Sequence, residues 1–269
     1  MHKALRKHIF TNTQIVELAL FPSSFFPGVN FGYANLSIIT LRKKSDIKAC
    51  MNNTFSVING FDEVEQLNNV NDIADCVTGF YSGDDKRFLQ VISPELKNGK
   101  NYDLVNPDSV SSDYKNNADI LNGIDGDKHF LPIVKGGNTK YLKPESWFMN
   151  WSKEAVQHYK TDKKSRFQNP KYYFKFGIGV PMISSSSITA SLIENKLFDQ
   201  SIVGIFPKEE SLTYYLLAFF NSPTCNKLIR TINPSANNPA NYIKKIPVII
   251  PEKSTLDLIT EKVKLIVDS

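Results

Sequence analysis

Histidines and cysteines, the residues most often used for metal binding and nucleophilic catalysis, are few and scattered in this chain of 269 residues. No Cys-x-x-Cys pair occurs, and no histidine lies near a cysteine at metal-ligand spacing. A glycine-rich phosphate loop, a Gly-x-Ser-x-Gly motif and a His-Glu-x-x-His motif are also missing. The sequence therefore argues against a self-contained hydrolase, and we expect Cys50, Cys76 and Cys225 to be buried free thiols.

Positive charge is unevenly distributed along the chain. The formal net charge is only +5, but lysine and arginine concentrate in residues 153–175, whereas acidic residues dominate residues 62–85. Cationic side chains are the usual contacts to DNA phosphates. The basic stretch therefore indicates either a phosphate-binding surface or a solvated lysine-rich face.

The first elements along the chain are two apolar strands around a loop rich in Pro, Gly and Ser. Residues 14–20 and 36–41 are mostly apolar and rich in β-branched side chains, which is typical of strands from a sheet that is covered on both faces. We expect an antiparallel hairpin here. Because a lone apolar hairpin is not a stable domain, something else must cover it.

The second part of the chain alternates short strand-like runs with turns and then becomes helical. Predicted strands cover residues 88–92, 130–134, 146–151, 180–184, 201–206 and 242–251. Predicted helices cover residues 211–220, 224–232 and 254–267, the first with Ser211 as its N-cap. The order of these elements predicts a mixed α+β domain.

The hairpin loop carries the first family resemblance. Residues 21–43, FPSSFFPGVNFGYANLSIITLRK, resemble the last hairpin of the catalytic sheet in adenine-N6 DNA methyltransferases. In that family an aromatic residue of this loop stacks on the adenine after it has been rotated out of the duplex. The resemblance implies this role for Phe26 first and Phe31 second, with burial in the hairpin core as the alternative for both.

A second resemblance begins at Gly79. Residues 79–88, GFYSGDDKRF, are similar to the signature that opens the target-recognition domain of type IIG restriction-modification enzymes and BREX-type methyltransferases. Ser82 and Asp85 replace the usual Thr and Asn, which keeps a short polar turn. The run PIVKGG at residues 132–137 resembles the same family, and its Lys135 is either a phosphate contact or a solvated lysine beside two glycines.

Five further segments follow the order seen in these recognition domains and in type I specificity subunits. They are residues 179–187, 197–207, 215–222, 233–239 and 243–251. The resemblance implies that these segments form the scaffold and that base-reading side chains lie on the loops between them.

The same family carries a donor-binding glycine motif and an Asn/Asp-Pro-Pro-aromatic catalytic motif, and neither occurs here. We therefore expect no catalytic residue in this chain. The resemblance implies that S-adenosylmethionine is bound by a methyltransferase catalytic subunit or by a missing N-terminal half.

Together the motifs predict an α/β, mixed α+β chain of three parts: the last hairpin of a methyltransferase catalytic domain (1–50), a connector (51–70) and a target-recognition domain (71–269). We expect double-stranded DNA as the ligand, no metal and no membrane segment, and a cytoplasmic location. The predicted DNA-binding side chains are Lys135, Asn138, Lys140, Lys163, Lys164, Arg166, Gln168 and Lys175, with the two amides as base-edge readers. The alternative is a free-standing specificity subunit, or a degenerate remnant, that binds DNA or a protein without assisting methylation.

The first prediction concerns the methyl donor. Because the sequence holds no glycine loop to cradle it, the chain alone should show no measurable binding of S-adenosylmethionine in calorimetry. Stoichiometric micromolar binding would contradict this division of labour.

Overall fold

The computed structural model describes residues 8, 11–21, 36–43, 68–116, 118–137, 139–184 and 187–268. The chain divides into two compact units, residues 1–67 and 68–269. This boundary falls within residues 51–70, where we expect a connector. The combination of helices with several sheets confirms the mixed α+β class.

The first unit contains the expected hairpin. Strand β1 (Thr13–Phe21) pairs antiparallel with β2 (Leu36–Lys43), with an irregularity in register between Ile15 and Glu17. Both strands and their pairing are confirmed. The loop that carries Phe26 and Phe31 lies outside the described residues, and membership of a methyltransferase sheet stays a prediction.

The second unit contains two four-stranded sheets and one short strand pair, as far as its residues are described. Its strands are β3 (Asn68–Asn69), β4 (Ala74–Thr78), β5 (Leu89–Val91), β6 (Phe130–Val134), β7 (Trp147–Asn150), β8 (Gly177–Pro181), β9 (Ser191–Ile193), β10 (Leu197–Phe198), β11 (Ile202–Pro207) and β12 (Pro247–Val248). The first sheet has the order β10-β6-β7-β5 and the second β4-β11-β8-β9, while β12 pairs with β3. Only β10 and β6 run parallel among these ladders.

In the described part of the second unit, three helices lie between the strands and four more follow β11. The helices are α1 (Val70–Ile73), α2 (Asp85–Phe88), α3 (Lys153–Thr161), α4 (Thr213–Phe220), α5 (Pro223–Ile232), α6 (Ala240–Ile243) and α7 (Lys253–Val267). Side-chain caps explain where two of them begin: Ser152 Oγ accepts a hydrogen bond from the N–H of Ala155, and Ser222 Oγ accepts one from the N–H of Cys225. Proline at the first position of α5 fits there because its missing N–H has no partner in the first turn.

Two local predictions were wrong. Ser211 is not the N-cap of α4, because it lies inside a 3-10 turn (Glu210–Leu212) that leads directly into the helix. Residues 242–251 do not form one strand, since α6 and the two-residue β12 occupy this region. Proline at 247 and 251 limits the ladder there because proline has no N–H to donate.

Strand β11 lies between two hydrophobic cores. Its side chains alternate, so that Ile202 and Phe206 pack into one core while Val203 and Ile205 pack into the other. All four are buried, which is typical of a strand covered on both faces. This arrangement makes β11 the shared element of the second unit.

The first core is aromatic and surrounds Phe80. The ring of Phe80 makes edge contacts with Trp151 and Tyr159, at centroid distances of 5.6 and 4.8 Å. Both partners satisfy their polar atoms: Trp151 Nε1 donates to the carbonyl of Ile120 at 2.6 Å, and Tyr159 Oη donates to that of Asn150 at 2.7 Å. Phe80 therefore anchors the signature at residues 79–88 in the interior.

The second core packs α4, α5 and α7 against the sheet that contains β8 and β11. Leu216, Leu217 and Phe220 of α4 are fully buried there. Asn221 ends α4 and joins it to residue Ala190, whose N–H and carbonyl both bond to the Asn221 amide at 3.0 and 2.9 Å. The segment LLAFFNS thus has the scaffold position that the resemblance implies. Among the described residues, no helix combines the length and the apolar character needed to cross a membrane.

Thiol chemistry offers a test of these cores. Cys76 and Cys225 are buried free thiols, and burial raises the pKa of each to about 12. A thiol reagent at pH 8 should therefore leave both unmodified in the native protein and modify both in urea, because the thiolate is the reacting form. The measurement is the thiol count in a Cys50→Ser variant, since Cys50 lies outside the described residues. Rapid native labelling of either cysteine would contradict the packing described here.

Candidate nucleic-acid interface

The signature at residues 79–88 forms a tightly bonded turn. The Ser82 hydroxyl, which is fully buried with its residue, donates to Asp85 Oδ1 at 2.7 Å and accepts the N–H of Asp84 at 3.2 Å. Asp84 caps α2 by accepting from the N–H of Arg87 at 3.3 Å. Position 79 cannot hold a residue with a side chain, because a Cβ there would lie 2.1 Å from the carbonyl oxygen of Phe198. The polar residues of this signature therefore serve the turn itself.

Lys135 lies between two carboxylates. Its Nζ is 2.7 Å from Asp85 Oδ2 and 3.2 Å from Asp199 Oδ2, with side-chain exposures of 22% for Lys135, 18% for Asp85 and 5% for Asp199. Burial by itself lowers the pKa of Lys135, but the charges of Asp199 and Asp85 outweigh it, so this pKa lies above its ordinary value of 10.5. The ammonium is thus charged and engaged inside the protein, which weakens the prediction that it contacts a phosphate.

A second lysine supports the turn that follows Lys135. Lys143 Nζ donates to the carbonyl oxygens of Lys135 and Gly136. Burial lowers the pKa of Lys143 to about 8, and the nearby charge of Asp199 opposes part of this effect. Gly137 has a φ of 124°, a conformation that favours glycine. The run PIVKGG therefore forms an internally braced turn.

Residues 165–169 of the basic stretch are bonded to the end of β4 and to the residues that follow it. Tyr81 N donates to the carbonyl of Arg166 at 3.3 Å, and four hydrogen bonds run the other way, each from a group in residues 165–169 to a backbone carbonyl in residues 78–82. They run from Ser165 Oγ to Ser82, from Arg166 N to Tyr81, from Gln168 Nε2 to Gly79 and from Asn169 Nδ2 to Thr78, at 2.5, 2.8, 2.7 and 3.0 Å. The backbone on both sides of Arg166 is therefore held against the signature turn.

Gln168 has a structural role in this connection. Its side chain is half-buried and donates to the backbone of Gly79. An amide engaged in this way has lost one of its donors for a base edge. The position weakens the prediction that Gln168 reads a base, and Asn138, the other predicted reader, lies outside the described residues.

The remaining predicted contacts have exposed cationic groups. They are Lys140, Lys163, Lys164, Arg166 and Lys175, and none of them forms an ion pair among the described residues. Three other lysines of the basic stretch have partners: Lys153 pairs with Asp125 at 2.6 Å, Lys160 donates to Asn122 at 3.0 Å, and Lys171 lies over the ring of Tyr172. Within the basic stretch, the cationic groups that form no ion pair, hydrogen bond or ring contact among the described residues therefore follow α3.

Metal-ligand clusters are absent from the described residues, since no group of three or more His, Cys, Asp or Glu side chains there could hold a metal ion. His8 bonds to Asn12, His129 bonds to the carbonyl of Gly126, and His158 packs on Phe88. The chain matches no model of a known protein family, and no curated protein is significantly similar to it in sequence.

Sequence reasoning missed the internal ion cluster. Asp199 and Lys143 were not among the candidate residues, although Asp199 lies in one of the segments that carry the family resemblance. Two sequence features were available: Lys135 precedes two glycines, and the signature turn is acidic. Nothing in the sequence, however, indicates that residues 85, 135 and 199 meet. Only the sheet order brings them together.

The internal role of Lys135 is testable by substitution. Lys135→Met should lower the free energy of unfolding by about 3 kcal/mol, because it leaves two largely buried carboxylates without their cation. Lys163→Met is the matched control and should change stability by less than about 0.5 kcal/mol, as expected for an exposed side chain. Urea unfolding of both variants decides the matter. Equal, small effects would mean that Lys135 is dispensable for the fold and remains available for a phosphate.

Proposed function

We propose that this chain is the DNA-recognition part of an adenine-specific DNA methyltransferase of the restriction-modification kind. The proposal combines the order of the family-like segments with the geometry of residues 163–166. S-adenosylmethionine and the catalytic residues would belong to a partner subunit or to a further part of the protein, and the hairpin of the first unit would complete the catalytic sheet.

The observation that carries the proposal is the contrast between backbone and side chains in residues 163–166. Their backbone is fixed by the bonds of Ser165 and Arg166 to the signature turn, whereas Lys163, Lys164 and Arg166 extend into solvent without an acidic partner among the described residues. This combination favours phosphate binding. A fixed backbone loses less conformational entropy on binding, and a cation without an ion pair has no internal bond to break.

The distribution of the other charges is consistent with this surface. Asp85, which lies in the signature turn, and Asp199 share the single positive charge of Lys135. Asp162, which precedes the cations, accepts the backbone N–H of Lys164, and this bond is the main cause of its lowered pKa. The carboxylates thus stabilise the turns that present the cations.

The salt dependence of DNA affinity tests the proposal. Binding of a fluorescent duplex should weaken as salt is added, and the Lys163→Ala, Lys164→Ala, Arg166→Ala triple variant should flatten the slope of log K against log salt by about 0.9 for each lost phosphate contact. The measurement is fluorescence anisotropy over a series of salt concentrations.

The control removes an equal amount of positive charge from elsewhere in the second unit. Lys227, Lys253 and Lys262 are exposed on α5 and α7, and their triple alanine variant should keep the wild-type slope. Absence of salt-dependent binding in the wild-type protein would refute the proposal. An equal change in both variants would reduce the effect to net charge and would refute the assignment of the interface.

A further inference from the structure

Ile183 has the most exposed large apolar side chain among the described residues, at 73% of its surface. It lies two residues after the end of β8, and it faces Asn237 across an antiparallel bridge. Asn237 is also exposed, and its side-chain amide makes no hydrogen bond among the described residues. One apolar and one amide side chain are therefore presented to solvent side by side.

The two loops that carry this pair are held firmly together. Backbone bonds run from Ser184 N to the carbonyl of Ala236 at 2.9 Å and from Asn238 N to that of Met182 at 2.6 Å. These bonds flank the pair on both sides. A scattered surface isoleucine on a loose loop needs no explanation, but this one is displayed by a braced structure.

Arg230 of α5 braces the same loops from inside. Its guanidinium donates to the carbonyls of Ser184 and Ser235 at 2.7 and 2.5 Å and to Asn238 Oδ1 at 3.1 Å. Because all three acceptors are neutral, Arg230 connects the two loops and does not pair with an acidic side chain. The tip formed by Ile183 and Asn237 is thus held by bonds from both sides.

A chain of hydrogen bonds connects this tip to the proposed phosphate-binding segment. Met182 N donates to the carbonyl of Ser201 at 2.8 Å, and Ser201 N donates to Asp199 Oδ1 at 2.8 Å. Asp199 belongs to the cluster with Lys135 and Asp85, to which the signature turn and residues 165–166 are attached. The tip and the cations are therefore parts of one bonded framework.

We propose that Ile183 and Asn237 read base edges in the major groove, with Ile183 against the 5-methyl group of thymine and Asn237 bidentate to adenine. This inference rests on the proposed function and assigns its base-reading site. The chemistry is that expected of the two side chains, since an asparagine amide matches adenine N6 and N7 and an apolar side chain matches the thymine methyl. The antiparallel bridge places the two residues opposite each other, within reach of neighbouring bases.

The test starts from a library of random duplexes, from which the full chain is used to select a preferred sequence. The wild-type protein should enrich a sequence that contains at least two adjacent A·T pairs. Replacing single thymines of that sequence by deoxyuridine removes only the methyl group, and at one position this should weaken wild-type binding about fourfold, the value for one buried methyl group.

The variant Ile183→Ser should bind thymine and deoxyuridine duplexes equally at that position, whereas Ile249→Ser, a matched change at an isoleucine that is 64% exposed, should keep the wild-type discrimination. Asn237→Ala should lose roughly fivefold or more in preference for adenine at an adjacent position. All three variants should retain the wild-type melting temperature and salt slope, because they change exposed, uncharged side chains.

The outcomes separate the two proposals. Salt-dependent binding with unchanged thymine and adenine discrimination in Ile183→Ser and Asn237→Ala overturns the base-reading tip and leaves the DNA-binding function standing. Salt-dependent binding without any enriched sequence also overturns the tip. Absence of DNA binding by the wild-type chain overturns both.

Discussion

The ion cluster of Lys135, Asp85 and Asp199 is the constraint on which the second unit depends. Asp85 begins α2, Lys135 follows β6, and Asp199 occupies the turn between β10 and β11, so the cluster joins one edge of the first sheet to the strand shared by both cores. Burying two carboxylates is costly unless a cation accompanies them. Each carboxylate therefore requires Lys135, and the cluster fixes the positions of the loops attached to it.

This framework explains why residues with similar chemistry have different roles. Lys135 and Lys143 point into the framework and bond to carboxylates or carbonyls, while Lys163, Lys164 and Arg166 extend from its surface. The same contrast holds for amides. Gln168 and Asn169 secure the backbone, and the Asn237 side chain is left without a protein partner among the described residues. The position of a polar group relative to the bonded turns decides whether it stabilises the fold or is available to a ligand.

Most residues of the signature at residues 79–88 have a structural role. Gly79 is required by the close approach of Phe198, and Phe80 fills the centre of the aromatic core. The pair Ile183 and Asn237 departs from the expected division, because both residues lie inside family-like segments, 179–187 and 233–239, and not on the loops between them.

The sequence alone determined the elements whose signals are local. Apolar alternation and continuous apolar runs located β1, β2, β6, β7 and β11, and helical spacing located α5 to within one residue of its start, because periodicity acts over a few residues. It failed for residues 242–251, where apolar character did not distinguish a strand from a short helix and a packed turn. Contacts between distant residues were decided only by the tertiary structure. The sheet order brings residues 85, 135 and 199 together and places Ile183 beside Asn237, and no local rule contains that information, since each of these pairings joins segments about 50 or more residues apart.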